Sequence, residues 1–241
     1  MPGATGCSET NFVQDMVVGA HRHGYQAVVI NSMCTKEDEG KKEYRVLDFS
    51  DSDIITDAIK MVRKRLGDEV EIYGVGFSLG ANHLTRYMGA ANPELQLIRA
   101  AVSVSNPFDV LASSIALKYR AFGLYDKVLR TRLIQQFLEG NYKHPEYGQD
   151  WREKVKKLKS LMEFDEFVRT KILGYRSVHS LYRETSCDRF VGRINVPFLV
   201  LTSKDDPLTP LDMLPIADLY GNPQCFMLYT RFGGHPDFLT I

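Results

Sequence analysis

The 241-residue chain carries no net charge, because 30 Lys and Arg residues balance 30 Asp and Glu residues. A domain that binds nucleic acid usually carries a basic excess, so the composition gives no reason to expect DNA or RNA as a partner. Internal repeats and low-complexity segments are also absent, which argues against a solenoid or a long disordered tail. A chain of this length can bury one sizeable core, and the simplest organisation is a single domain over residues 1–241.

Cysteine is scarce, with Cys7, Cys34, Cys187 and Cys225 as the whole set and no C-x-x-C pair among them. This pattern predicts reduced thiols in a reducing compartment and not a disulfide framework. The sequence has no cluster of Cys, His and carboxylate residues at the spacing of metal ligands. We therefore expect neither a metal ion nor an organic cofactor.

Long apolar runs are missing as well, since none approaches the roughly 20 residues that span a bilayer. The N-terminus also lacks the charged-then-apolar pattern of a signal peptide. The expected location is the cytoplasm or a membrane surface. Residues 151–159 form a basic helical pattern that either contacts anionic lipid head groups or is only a solvated face.

The most informative motif that is present is G-x-S-x-G, at residues 76–80. It follows an apolar run at 70–75 and precedes a helical pattern at 82–88. A strand, a sharp turn with Ser78 at its apex and a helix form the nucleophile elbow of an α/β-hydrolase. Glycines at 76 and 80 remove the Cβ atoms that would collide in such a turn. The helix that begins after Ser78 points its first N–H groups at an oxyanion formed on the substrate.

Two other interpretations of this stretch are weighed against the elbow. A dinucleotide-binding fingerprint fails, because its third glycine would fall at Leu79, and no G-x-x-x-x-G-K-[ST] phosphate loop is present. A surface serine at the glycine-rich end of a strand remains the alternative to the elbow.

The remaining chemistry follows the chain order Ser, acid, His that this fold uses. Residues 196–202 predict a buried strand that ends in a turn-rich loop containing Asp205 and Asp206. His235 is the only histidine beyond that loop, and it follows another predicted strand at 225–230. Both loops leave the ends of strands, where ligand sites of open parallel sheets lie.

These residues would divide the work of acyl transfer. Ser78 attacks the carbonyl, His235 takes and later donates the proton, and an Asp fixes the histidine tautomer. Asp206 is the preferred acid because it opens the stretch Asp-Pro-Leu-Thr-Pro, as in hydrolases of this type. Asp205 is then a loop or capping carboxylate. The alternative is that both are solvated turn residues.

Alternating β and α patterns predict an α/β fold, with a mostly parallel sheet covered by helices on both faces. We expect helices near 10–22 and 51–66, and strands near 26–31 and 98–105. From about 107 to 190 only helical patterns occur, at 109–121, 126–139, 151–171 and 175–184. This region predicts a helical cap over the site. Asn106 and Pro107 are the expected N-cap and first residue of its first helix.

Apolar side chains of the cap either line an acyl tunnel or pack the cap against the sheet, and packing is the expectation for most of them. They are Leu124, Val128, Leu129, Leu133, Phe137 and Leu138.

Several motifs together resemble one branch of the α/β-hydrolases. Residues 1–6 read Met-Pro-Gly-Ala-Thr-Gly, like the oxyanion loop of the branch. Further matches lie at 24–31, 76–82, 103–109, 164–175, 205–207 and 233–235, and the order of the last three makes the match specific for the branch. The branch contains the bacterial YheT-like hydrolases and the animal α/β-hydrolase-domain proteins one and three. The resemblance implies serine ester hydrolysis of acyl lipids, phospholipids or small carboxylic esters. It also implies an oxyanion hole made by the N–H of Leu79 and the N–H of Ala4 or Thr5.

The chain departs from the branch at three places. It begins at the oxyanion loop, so we expect the N-terminal strands and the last helix of the fold to be missing from it. Residues 31–34 replace the N-x-R-G that follows a strand in the family. Asp237 lies where the family has Gly, and it would either act on His235 through its charge or obstruct the acyl pocket. An acyltransferase on the same three residues and a non-catalytic truncated relative therefore remain alternatives to a hydrolase.

Overall fold

The computed structural model describes residues 1–31, 35–38, 41–44, 48–50, 53–90, 97–139, 148 and 150–235. Within them, a four-stranded parallel sheet has the strand order β3-β4-β5-β6. A separate antiparallel hairpin is formed by β1 and β2. The strands are β1 (Thr35–Asp38), β2 (Lys41–Tyr44), β3 (Tyr73–Phe77), β4 (Ala100–Val104), β5 (Phe198–Ser203) and β6 (Cys225–Thr230).

Helices connect the strands, and between β4 and β5 the regular elements of the described residues are all helical. Those outside this region are α1 (Asn11–Arg22), α2 (Asp53–Leu66), α3 (Leu79–Ala90) and α10 (Ile216–Gly221). Those inside it are α4 (Val110–Tyr119), α5 (Leu124–Glu139), α6 (Trp151–Lys156), α7 (Leu161–Phe164), α8 (Thr170–Leu173) and α9 (Val178–Thr185). A π-helical turn at Asp165–Arg169 joins α7 to α8. No helix among the described residues combines the length and apolar character that crossing a membrane requires.

Parallel pairing sets where the functional residues lie. β4 pairs with β3 on one side and β5 on the other, and β5 pairs with β6, all in parallel. The carboxyl ends of all four strands therefore meet at one edge of the sheet. Ser78 directly follows β3, and the loops after β5 and β6 carry residues 204–206 and 231–235 to the same edge.

The main core packs the sheet against α3, which is buried along most of its length. Leu84, Met88, Phe198 and Val200 are buried there, and each such side chain contributes about 1.5–3 kcal/mol through burial. A second cluster of buried side chains holds the helical region together. Its members are Leu133, Phe137, Val155, Phe164 and Val168.

The strand expected near residues 26–31 is wrong, because these residues have no regular secondary structure in the described chain. Val28 is 64% exposed. A strand needs a partner edge, and the free edge of β3 is bonded to Met1. The amine of Met1 donates to the Val75 carbonyl at 2.7 Å, and the Phe77 N–H donates to the Met1 carbonyl at 3.0 Å.

The expected start of the first cap helix at Asn106 and Pro107 is also wrong. The helix begins at Val110, and Asp109 caps it by accepting a hydrogen bond from the Ala112 N–H at 2.9 Å. The Asn106 side chain turns inward and donates to hydroxyl groups in the core.

The single helix expected over 151–171 is interrupted. Ser160 has extended backbone and its hydroxyl accepts from the Glu163 N–H, so a new helix begins at Leu161. A serine that caps a helix start competes with continuing the helix before it.

Candidate active site

Ser78 occupies the turn between β3 and α3, with a backbone φ of 51°. Its N–H donates to the Val104 carbonyl at 2.8 Å, which ties the turn to the neighbouring strand. Its carbonyl accepts from the N–H groups of Ala81 and Asn82, at 2.9 and 3.1 Å. The left-handed backbone that this turn requires is therefore adopted by the serine itself and fixed by bonds on both sides.

The two glycines of the motif are needed for close approach. A Cβ at Gly76 would lie 2.6 Å from the Cα of Ala81. A Cβ at Gly80 would collide with the carbonyl groups of Met1 and Pro2. Neither glycine has a positive φ, so the packing of the turn and not backbone freedom explains them.

Ser78, His235 and Asp206 form a continuous series of hydrogen bonds. Nε2 of His235 lies 2.8 Å from Oγ of Ser78, and Nδ1 lies 2.8 Å from Oδ2 of Asp206. Because an ionised carboxylate only accepts, Nδ1 carries the ring proton in the neutral imidazole. Nε2 is then the acceptor for the hydroxyl proton of Ser78. The fold brings together three residues that the sequence places up to 157 positions apart.

Asp206 is 2% exposed and is surrounded by hydrogen-bond donors. Its Oδ1 accepts from the N–H groups of Leu208 and Thr209, at 2.8 and 3.0 Å. The Thr209 hydroxyl donates to Oδ2 at 2.5 Å. Burial opposes the ionisation of Asp206. The hydrogen bond from His235, the positive charge of its imidazolium form and the hydrogen bonds from Thr209 outweigh burial and lower the pKa of Asp206. The carboxylate is therefore ionised at neutral pH.

Asp205 has a different position. Its exposed carboxylate accepts from the Gly234 N–H at 3.0 Å, and this backbone bond lowers the pKa of Asp205. The Ser203 hydroxyl donates to the Gly234 carbonyl at 2.9 Å. Together they attach the loop that carries His235 to the end of β5. Sequence reasoning missed Thr209 and Ser203, although a threonine three residues after Asp206 in a turn is a recognisable signal.

A cavity adjoins Ser78 and His235, and its volume is about 850 Å³ when the solvent-filled space at its mouth is included. Apolar side chains from the sheet edge, α4 and α5 dominate its lining. It is lined by Ala4, Phe49, Ser78, Leu79, Pro107, Val110, Ser113, Ser114, Leu117, Leu129, Leu133, Leu161, Asp165, Arg169, Tyr182, Leu208, Thr209 and His235.

Of the expected oxyanion residues, Ala4 and Leu79 line the cavity beside Ser78, and Thr5 does not. Leu79 is the first residue of α3, so its N–H is not used within the helix. Asp237 and residues 32–34 lie outside the described residues.

The six apolar side chains expected either to line a tunnel or to pack the cap divide between the cavity, the buried cluster of the helical region and the solvent. Leu129 lines the cavity, and Leu133 both lines it and belongs to the buried cluster. Phe137 and Leu138 also belong to that cluster, which we call the cap cluster, whereas Leu124 and Val128 are exposed. Packing is thus the role of three of the six and not of most of them.

Three polar residues of the lining form a buried group. The Tyr182 hydroxyl donates to Asp165 at 2.6 Å, and Arg169 lies 3.5 Å from the same carboxylate. Burial raises the pKa of Asp165.

The described residues contain no group of three or more His, Cys, Asp and Glu side chains arranged to hold a metal ion.

Comparison with known proteins gives relatives along nearly the whole chain. No family model matches it. The embryogenesis-associated protein EMB8 of Picea glauca is 32% identical over 98% of this chain and 51% of its own length. The monoacylglycerol lipase of Saccharomyces cerevisiae is 31% identical over 72% of this chain and 39% of its own. The phospholipase ABHD3 of Bos taurus is 28% identical over 99% of this chain and 57% of its own. The chain thus spans about half the length of these relatives.

Two solved structures with a similar fold are those of esterases. The esterase PF2001 of Pyrococcus furiosus has a TM-score of 0.63 at 14% identity, over 100% of this chain and 74% of its own. Est1E of Butyrivibrio proteoclasticus, bound to ferulic acid, has a TM-score of 0.58 at 17% identity, over 100% and 81%. At these identities the likeness establishes the fold, which is the α/β fold expected from the sequence.

Proposed function

Because the chain belongs to the α/β-hydrolase superfamily, we propose that it is a serine hydrolase that cleaves carboxylic esters of acyl lipids. The observation that carries the proposal is the hydrogen-bonded series Ser78–His235–Asp206, with 2.8 Å at each link to the imidazole. Such a series activates a hydroxyl that is otherwise a weak nucleophile.

In the proposed mechanism, Oγ of Ser78 attacks the ester carbonyl while Nε2 of His235 takes its proton. Asp206 holds the imidazole in the required tautomer and stabilises the imidazolium. The imidazolium then protonates the leaving alcohol, and an acyl-enzyme remains on Ser78. A water molecule, deprotonated by His235, hydrolyses the acyl-enzyme and restores Ser78.

In the tetrahedral intermediate the former carbonyl oxygen carries a negative charge. This oxyanion requires N–H donors on the side of Ser78 away from His235. We assign this role to the N–H groups of Leu79 and Ala4, because both residues line the cavity beside Ser78. Leu79 is favoured further because it begins α3, where the helix dipole stabilises a negative charge.

An acyl lipid is the proposed substrate because the cavity wall is largely apolar. Val110, Leu117, Leu129 and Leu133 line it on the cap side. The relatives named monoacylglycerol lipase and phospholipase support the same class. An acyl lipid lies in a membrane or micelle, so the proposal includes contact between the chain and a lipid surface.

The test is turnover of a monoacylglycerol and of a short soluble ester by the purified chain. We expect both to be hydrolysed, and Ser78→Ala to abolish turnover of both. Ser105→Ala is the matched control, because Ser105 also follows a strand with a positive φ but is fully buried. It should keep most of the activity.

The same assay with added glycerol or short alcohols separates the alternatives. Release of free fatty acid without acyl transfer supports the hydrolase. Transfer of most acyl groups to the added alcohol would assign an acyltransferase, and absence of any turnover by a folded chain would contradict both enzymes.

A further inference from the structure

Six large apolar side chains are exposed along the second half of α4, the turn that follows it and the start of α5. We call them the cap surface: Ile115, Tyr119, Phe122, Leu124, Tyr125 and Val128. Tyr119 is 72% exposed and Phe122 is fully exposed. Single exposed apolar residues are ordinary, whereas a group of them marks an interaction site.

The cap surface lies on the opposite side of α4 from the cavity. Val110, Ser114 and Leu117 line the cavity and share one face of the helix at 3.6-residue spacing. Ile115 and Tyr119, one turn apart, lie on the other face. Helix α4 therefore presents one face to the candidate active site and an apolar face to the solvent.

Helix α5 is arranged in the same way. Leu129 and Leu133 line the cavity from one face. Leu124 and Val128, also one turn apart, are exposed on the other. The cavity and the cap surface therefore lie on opposite faces of the same two helices.

The backbone between the two helices holds Phe122 outward. Phe122 has a φ of 54°, and Gly123 follows with a φ of 71°. A left-handed backbone is unfavourable for a bulky side chain. A strained residue whose aromatic ring lies wholly in solvent is more simply explained by a role in binding than by a role in packing.

The exposed charged residues between positions 115 and 132 are all basic, and one of them, Arg120, is paired with Asp212 of a later loop at 3.4 Å. Lys118, Lys127 and Arg132 are exposed beside it. The one acidic residue between positions 115 and 132 is Asp126, and it is buried. Exposed apolar anchors flanked by cations are the pattern that binds anionic lipid surfaces.

The basic helical pattern at 151–159 lacks such anchors. Trp151 packs edge-on against Phe137 in the cap cluster, with ring centroids 5.2 Å apart. Lys154 is paired with Asp150 at 3.1 Å. The structure thus favours α4 and α5 over α6 as the face that meets a lipid surface.

We propose that the cap surface docks the chain onto an anionic lipid surface, with its apolar side chains among the head groups and its cations against lipid phosphates. The choice of a lipid as the occupant rests on the proposed function, since the substrate would come from that surface. A second copy of this chain or a protein partner would be a different occupant.

The experiment measures binding of the Ser78→Ala chain to vesicles, so that no turnover is needed. The vesicles contain phosphatidylcholine alone or mixed with phosphatidylglycerol, and bound protein is separated by sedimentation. We expect binding to the mixed vesicles that weakens with salt. Tyr119→Ser combined with Phe122→Ser should reduce it at least tenfold, and Lys127→Glu at least fivefold.

Matched controls are exposed residues of the same kind elsewhere. Met61→Ser on α2 and Tyr220→Ser on α10 remove exposed apolar side chains, and Lys60→Glu reverses an exposed charge on α2. These should leave vesicle binding unchanged. Equal binding by the cap variants and the controls would overturn the proposal.

Two further readouts separate this proposal from the proposed function. In the Ser78 chain, the Tyr119→Ser, Phe122→Ser double variant should keep turnover of a soluble ester and lose turnover of vesicle-bound ester. Vesicle binding that depends on Phe122 in a chain without any esterase activity would support the cap surface and contradict the hydrolase. The third outcome is a dimer that dissociates in the double variant, with no vesicle binding by the Ser78 chain or by the double variant. It would assign the cap surface to contact with a second copy of the chain and overturn the proposal of lipid docking.

Discussion

At the scale of single residues, the two neighbouring aspartates show how position divides similar side chains between roles. Asp206 is buried and accepts from His235, whereas Asp205 is exposed and accepts from the backbone of Gly234. The first would act on the imidazole directly, and the second would act only through the loop that carries it.

The first prediction compares these two residues. Asp206→Asn should lower kcat by about 10⁴-fold, because the amide favours the wrong tautomer of His235. Asp205→Asn should lower it by no more than about tenfold, since Gly234 keeps its bond to the Ser203 hydroxyl. Steady-state kinetics on a soluble ester measure both. The reverse ranking would assign the acid to Asp205.

The second prediction concerns stability and pH. The pKa of Asp206 is lower in the folded chain than its ordinary value, so its ionised form stabilises the fold. That contribution is present above the ordinary pKa of about 4 and is lost as pH falls through the folded pKa. Asn mimics the protonated side chain. The loss in free energy of unfolding caused by Asp206→Asn should therefore be larger at neutral pH than below about pH 4.

Urea denaturation at the two pH values measures this difference. Asp57→Asn, at an exposed position on α2, is the control and should change the free energy of unfolding by less than about 0.5 kcal/mol at both. A loss from Asp206→Asn that grows as the pH falls would contradict the account.

Chain order and strand ends were enough to propose Ser78, Asp206 and His235, which the fold places within hydrogen-bond distance of one another, and their catalytic roles stay a prediction. The bond from Thr209 to Asp206 lies within one turn and carried a signal that was missed. The sequence could not indicate that Asp205 tethers Gly234, because that bond depends on how two loops pack against each other and no periodic pattern indicates such packing.

At the scale of elements, the elbow between β3 and α3 determines the position of Ser78. The third prediction tests its packing. Gly76→Ala should destabilise the chain by at least about 2 kcal/mol and abolish activity, because the added methyl group collides with the backbone of α3. Thermal unfolding and ester turnover measure the two effects.

Gly19→Ala is the matched control for this substitution. Gly19 lies within α1 and has no atom within 4 Å of an added Cβ. Alanine should raise stability there by about 0.5–1 kcal/mol, because it is the better helix former. Similar effects at positions 19 and 76 would show that the packing of the elbow does not matter.

Elements were predictable where a pattern was strong and local. Helices α1 and α2 lie where their periodicity indicated, and so do β4, β5 and β6, within a few residues. The apolar stretch at 26–31 has a strand-like pattern but no partner, since Met1 occupies the edge of β3. The helix pattern at 151–171 was interrupted by a capping serine, which periodicity does not detect.

At the scale of the whole molecule, three loops meet at one edge of the sheet. The helical cap, which has its own buried cluster, covers the cavity beside them. The alternation of β and α patterns predicted the sheet, and its interruption near residue 107 predicted the helical region. Its exposed apolar surface was not predicted, because the same helical period fits a buried and an exposed face.

The fourth prediction concerns the integrity of this packing. Cys187 is buried in the main core, beside Asn106, and burial raises the pKa of its thiol. It should react with iodoacetamide only when the chain unfolds, whereas half-buried Cys7 should react in the folded chain. Mass spectrometry of labelled peptides in increasing urea measures both. Rapid labelling of Cys187 without urea would show that the main core opens readily.

The most direct test of the central claim is labelling of the chain with a fluorophosphonate, which reacts only with an activated serine. The account predicts that one phosphonate attaches, that peptide mapping places it on Ser78, and that His235→Ala prevents it. A folded chain that is not labelled, or is labelled on another serine, would contradict the assignment of Ser78 as the nucleophile.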